Sequence, residues 1–175
     1  MIKIKLTQYK RRFELIYIKD NKNELTYLES LLKSAIAEKY NYSLSKDKFY
    51  FSNDIVSLNN IKNSLTVNVE KNNENHIYLS YGTLNNSFNL IPEKSLLNLE
   101  NFDKYEFIID ITTDDTIKVV PYIIHYKKNK KDKLTAVIKS NQLIDFNDDY
   151  KCRLTFKIIG YGRFDIKKIS IIPKG

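Results

Sequence analysis

The sequence has 175 residues, a formal net charge of +8 and a hydrophobic fraction of 42%. That is enough chain for one ordinary domain plus an appendage, and no apolar run approaches the roughly 18 residues that span a bilayer. Cys152 is the single cysteine and His76 and His125 are the two histidines, which argues against a disulfide-stapled fold, a zinc site or any other cofactor.

The excess positive charge is carried by lysine, since Arg11, Arg12, Arg153 and Arg163 are the arginines. Base-edge and bidentate phosphate recognition favour arginine, so specific nucleic-acid binding is not expected. The first residues, Met1 to Leu6, alternate lysine with apolar side chains and lack the apolar centre of an export signal. The expected location is the cytoplasm, or the inner membrane face as part of a larger protein.

Residues 1–45 read as a helical segment. Leu25, Leu28, Leu32 and Ile36 recur at three- and four-residue steps with no proline or glycine among them, which predicts a helix over 23–40. Leu6, Tyr9, Phe13 and Ile16 step in the same way, so residues 5–18 form a second helix or, over 13–18, a strand. The stripe packs on its own domain or forms a short coiled coil that sets a homo-oligomer.

Residues 46–175 read as a β-sandwich domain. Short runs at 48–51, 55–58, 64–70, 76–81, 88–90, 105–111, 117–126, 134–139, 152–160 and 163–172 alternate apolar and polar side chains or are strand-length and apolar. Period-two alternation at this spacing predicts a mainly β fold, an antiparallel sandwich whose strands bury one face. Asparagine, aspartate, lysine and serine turn the chain between runs, because glycine numbers 4 and proline 3. Pro121 predicts an edge position or a bulge in its strand. The apolar phase changes between Phe164/Ile166 and Ile169/Ile171, which predicts a bulge there.

The tail Ile158-Ile159-Gly160-Tyr161-Gly162-Arg163-Phe164-Asp165-Ile166-Lys167-Lys168-Ile169 is similar to the closing hairpin of jelly-roll modules of the carbohydrate-binding type. In these, a strand ends in Gly-x-Gly and returns as Phe-x-Ile-Lys-Lys-Ile. Tyr105–Asp110 and Val119–Tyr126 resemble the central strands of the same modules. The resemblance covers roughly the last 125 residues. It implies a sandwich of jelly-roll type that serves as an accessory part of Gram-positive glycosyltransferases building teichoic acids and surface polysaccharides.

Sugar recognition needs a flat aromatic face and planar polar groups beside it. With no tryptophan among its residues, the chain offers tyrosine. Tyr78, Tyr81, Tyr122 and Tyr126, with His125, Asn85 and Asn86, are the candidate glycan-binding residues. Lys127, Lys128, Lys130, Lys131 and Lys133 join two strands and are a candidate polyanion patch or a solvated edge guard. Asp114-Asp115 and Asp148-Asp149 suit turns better than calcium, for want of a spaced loop of carboxylates. No nucleophile elbow, phosphate loop or metalloprotease motif occurs, so no catalytic residue is assigned. The expected function is a non-catalytic accessory domain that binds a glycan or anionic cell-wall polymer, or helps assemble a larger surface-polymer enzyme. The alternatives are a purely structural protein-interaction module of a phage or surface component, and a lysine-driven polyanion binder.

Overall fold

A computed structural model describes residues 4–9, 12–17, 27, 31, 40–51, 54–71, 73–83, 88–92, 96, 104–128, 130–146 and 151–174, with backbone alone for 4–17. Near the N-terminus β1 (Ile4–Tyr9) and β2 (Arg12–Tyr17) form an antiparallel hairpin, with Leu6 opposite Leu15 and Ile4 opposite Tyr17. This corrects the helical reading of residues 5–18. The alternation Ile4, Leu6 and Phe13, Leu15, Tyr17 places apolar residues in register across two strands, a stronger constraint than the three- and four-residue steps that also run through the segment. Of the helix expected at 23–40, Tyr27 and Leu31 are helical, one turn apart. Its other residues up to 39 lie outside the described ones.

The main body is a sandwich built from β3 (Phe49–Tyr50), β4 (Val56–Ile61), β5 (Ser64–Val69), β6 (Ile77–Tyr81), β7 (Lys104–Thr113), β8 (Ile117–Lys127), β9 (Lys130–Ala136), β10 (Asn141–Asp145), β11 (Lys151–Gly160) and β12 (Gly162–Lys174). One sheet has the order β10-β7-β12-β5-β4 and the other β3-β6-β11-β8-β9, with every pairing antiparallel. We call these the first and second sheets. Apart from the β4–β5 and β8–β9 hairpins, each strand passes to the opposite sheet. From β5 onward this is the strand order of a jelly roll.

The alternation seen in the sequence decides which side chains meet between the sheets. Leu65, Val67, Val69, Phe107, Ile109, Phe164, Ile166, Ile169 and Ile171 from the first sheet face Ile77, Leu79, Ile123, Leu154, Phe156 and Ile158 from the second, all buried. Burying each such side chain stabilises the fold by roughly 1.5–3 kcal/mol. Strand β11 is covered on both faces over Cys152–Phe156, as a strand paired on both sides and overlaid by a loop must be.

The bulge expected in the last run is present: the pairing of β12 with β7 shifts register between Ile166 and Lys168. Pro121 lies in β8 just past the last residue that β9 reaches, Tyr122 opposite Ala136. Its carbonyl accepts Val137 N–H at 2.8 Å, so the position of its missing N–H faces the side where β9 has ended. The strand is an edge there and the ladder loses nothing. Two runs differ from expectation. Phe88–Leu90 is a turn and bend rather than a strand, and β10 was not anticipated because Asn141-Gln142-Leu143-Ile144-Asp145 has no clear alternation.

Candidate functional site

The alternation of β6 and β8 splits the candidate aromatic residues between the two faces of the second sheet. Tyr81 points inward, 8% exposed, packed edge-on against Phe49 at 5.0 Å. Its hydroxyl donates to Ser43 O at 2.9 Å, and burial pushes its pKa up to about 12. His125 is also inward and 2% exposed; its ring lies 4.7 Å from that of Phe146, and its Nε2 is 3.0 Å from Thr135 Oγ1. Burial first, then the charge of Lys133, lowers its pKa to about 4. His125 stands directly opposite Cys152 in the ladder. Both side chains are buried in the interior, with Cys152 also lining a cavity at the start of β11.

Tyr78, Tyr122 and Tyr126 lie on the outer face of the same sheet. That face is partly covered by the connection from β6 to β7, in which residues 83, 88–92 and 96 are described. Phe88 sets its ring 4.8 Å from that of Tyr78 at 75°. Its carbonyl accepts the Tyr126 hydroxyl at 3.0 Å, and Tyr126 is fully buried. Arg153, opposite Ile124 on β11, is 1% exposed and places its guanidinium 5.6 Å from the Phe88 ring and 5.9 Å from the Tyr126 ring. It also donates to Leu90 O at 3.4 Å. Desolvation lowers its pKa, partly opposed by Tyr126. Cation–π contacts in a dry site are worth about 2 kcal/mol, so Arg153 pins the connection to the sheet.

Tyr78 and Tyr126 are thus brought together, but around a protein side chain, Phe88. Tyr78 and Tyr122 remain half-exposed. Tyr122 stands in a row with Ala136, Thr155, Ser80 and Tyr50 across the sheet. Asn85 and Asn86 lie outside the described residues, as do Asp148 and Asp149. Arg153 was passed over in the sequence because a charged residue in an apolar run normally reads as solvent-facing. Its neighbours Cys152 and Leu154 gave no sign that a loop would cover it.

The lysine run takes a different form from the joining loop expected. Lys127 ends β8, Lys128 turns with φ +47°, and Lys130, Lys131 and Lys133 belong to β9, an edge strand exposed along its first five residues. The register shift between His125 and Tyr126 leaves Asp132 as a bulge. Asp114 has turn chemistry: its carboxylate accepts Arg163 N–H at 2.9 Å, tying the β7–β8 connection to the start of β12. A cavity of about 260 Å³ opens beside the start of β11, between Tyr42, Tyr81, Pro92, Leu96 and Cys152. The Tyr42 hydroxyl donates to Leu96 O across it at 2.8 Å, and burial raises its pKa.

No protein-family model and no curated protein matches the sequence. Solved structures do match in fold. One is a chain in the crystal structure of accessory secretory proteins 1, 2 and 3 of Streptococcus pneumoniae, at 9% identity and a TM-score of 0.51, covering 71% of this chain and 95% of that one. Another is a chain of the glycosylation-associated Gap123 complex of Streptococcus agalactiae, at 17% identity and a TM-score of 0.50, covering 75% of this chain. This chain spans a quarter of that second chain's length. The sandwich is therefore a fold shared with a chain of each of these two streptococcal structures. Among the described residues, no helix is long and apolar enough to cross a membrane.

Proposed function

We propose that the chain is a non-catalytic accessory domain of an assembly that glycosylates or exports surface material, where it binds a glycan or anionic surface polymer or holds the assembly together. The observation that supports this most is the sandwich itself, shared over most of the chain with components of two accessory systems. The internal chemistry is consistent with it, since Cys152, His125 and Arg153 are all consumed in packing. Half-exposed Tyr122, and Tyr78 where Phe88 leaves it uncovered, are the candidate rings for a sugar, and Asn85 and Asn86 are candidates from the sequence alone. Residues 1–45 carry self-association in this reading.

Two measurements test the two halves. A glycan array and a titration with teichoic acid fragments are expected to show saturable binding that Tyr122→Ala weakens; no binding removes the ligand half. Sedimentation equilibrium of the full chain is expected to show a concentration-dependent oligomer; a monomer throughout removes self-association.

A second reading is favoured by one feature, the exposed lysines along the β9 edge. A polyanion lying there binds with affinity that falls steeply with salt. Unchanged binding after neutralising Lys130, Lys131 and Lys133 eliminates it.

A further inference from the structure

The first sheet has a notch. On one flank of β12, β5 pairs through Leu65 opposite Ile166. Beyond that the segment Tyr40–Tyr42 takes over, with Asn41 bridged to Ser170, Tyr42 N–H donating to Ile169 O at 2.8 Å and Ile171 N–H donating to Tyr40 O at 3.1 Å. Between the two partners lies the bulge at Lys167, where β12 also slips its register with β7. The result is a cleft of about 590 Å³, within the few hundred to roughly 1,000 Å³ usual for small-molecule sites.

Three lysines from two places in the chain line it. Lys62 comes from the β4–β5 turn, where it adopts φ +53°, and Lys167 and Lys168 come from the bulge. No carboxylate lines the cleft; Asp165, whose carboxyl feels the charge of Lys167, is already paired with Arg163 at 3.1 Å. The wall is fixed rather than loose: Asn60 donates from Nδ2 to Leu44 O at 2.7 Å and accepts Lys46 N–H at 2.9 Å. The remaining lining is mixed, including Asn41, Asn63, Tyr42 and Ile169.

Like charges gathered on a lining without carboxylates repel one another and are relieved by a bound anion. Lysine is a good point-charge partner for phosphate, and each charge-assisted bond is stronger than a neutral one. The side-chain amides of Asn41 and Asn63 in the same lining suit hydroxyls. We infer that this notch is a binding site for a phosphate group carried on a sugar or polyol. It is separate from the β9 lysines. The sugar or polyol half rests on the accessory role proposed above, whereas the phosphate half rests on the cleft alone.

The test is a titration of the full chain at low ionic strength, followed by backbone amide NMR shifts, with inorganic phosphate in one arm and glucose 1-phosphate or glycerol 1-phosphate in the other. Shifts are expected to centre on Lys62, Asn63, Lys167 and Lys168, with the organic phosphates at least about tenfold tighter than inorganic phosphate. The variant Lys62→Gln/Lys167→Gln/Lys168→Gln, checked for an unchanged melting temperature, is expected to lose at least about tenfold in affinity. The control Lys127→Gln/Lys128→Gln/Lys130→Gln/Lys131→Gln is expected to keep it. Equal affinity for inorganic phosphate overturns the sugar half and its link to the accessory role. Absent binding, or equal loss in the two variants, overturns the site and leaves the accessory role to its own glycan and sedimentation tests.

Discussion

At the scale of single residues, two positions carry sharp consequences. Gly160 has φ +89°, and a β-carbon there would stand 2.2 Å from the backbone oxygen of Thr116. Both the conformation and the close approach demand glycine. Gly160→Ala is therefore expected to cost about 2 kcal/mol or more in chemical denaturation; a change below that range shows that the two inter-sheet connections can part without strain. His125 is the second position. Its folded pKa is about 4 against an ordinary 6.5, so the native state excludes a proton that the unfolded chain takes up. Its contribution is complete above pH 6.5 and is lost as pH falls toward 4, amounting to on the order of 3 kcal/mol. Urea melts of the parent should weaken across that window, and those of His125→Leu should be flatter. Parallel curves would mean that another group supplies the acid limb.

At the scale of elements, the strands were legible where one face is apolar and the other mostly polar. The runs 64–70, 105–111 and 163–172 alternate in that way, although Thr66 and Ser170 on the polar faces are themselves buried. Even the β12 bulge was visible as a slip of apolar phase. Legibility failed where a second cover intervenes. The β6–β7 connection overlays Arg153 and Tyr126, so residues that look solvent-facing are buried. This also dispersed the candidate aromatic site, because Tyr81 and His125 share the inward phase while Tyr78, Tyr122 and Tyr126 share the outward one. The N-terminal hairpin was misread because Leu6, Tyr9, Phe13 and Ile16 satisfy a helical step, while the strand pairing shows in other residues, Ile4 opposite Tyr17 and Leu6 opposite Leu15. The cover itself is testable. Phe88→Ala removes the ring that Tyr78 and Arg153 pack against and is expected to cost about 2 kcal/mol. Hydrogen exchange should rise in residues 88–92 and not in β11; equal rises in both would show that the connection is not a separate layer. Replacing Lys130, Lys131 and Lys133 by serine is expected to leave stability within about 0.5 kcal/mol while increasing aggregation, since charged edge strands resist pairing with other chains. Unchanged solubility would deny the edge-guard role.

At the scale of the whole molecule, the fold explains why a reading as a binder holds together. Two five-stranded antiparallel sheets close over one apolar interior, and the polar functions that remain are distributed over faces, edges and the notch at the β12 bulge. The sandwich was legible from the strand spacing and its jelly-roll type from the resemblance of the tail, but the strand order came only with the pairing. The notch was not, because Lys62 and Lys167 are about a hundred residues apart in sequence and only the strand register brings them together. Fold likeness at 9% and 17% identity carries no residue correspondence, so specificity has to come from this chain's own side chains. The most direct measurement is calorimetric titration of the full chain with a short glycerol phosphate oligomer, with the oligomer recovered afterward and weighed by mass spectrometry. Saturable binding with the oligomer returned intact is the predicted result. An oligomer returned cleaved or extended, or no heat of binding at any concentration, would contradict a domain that works by holding its ligand.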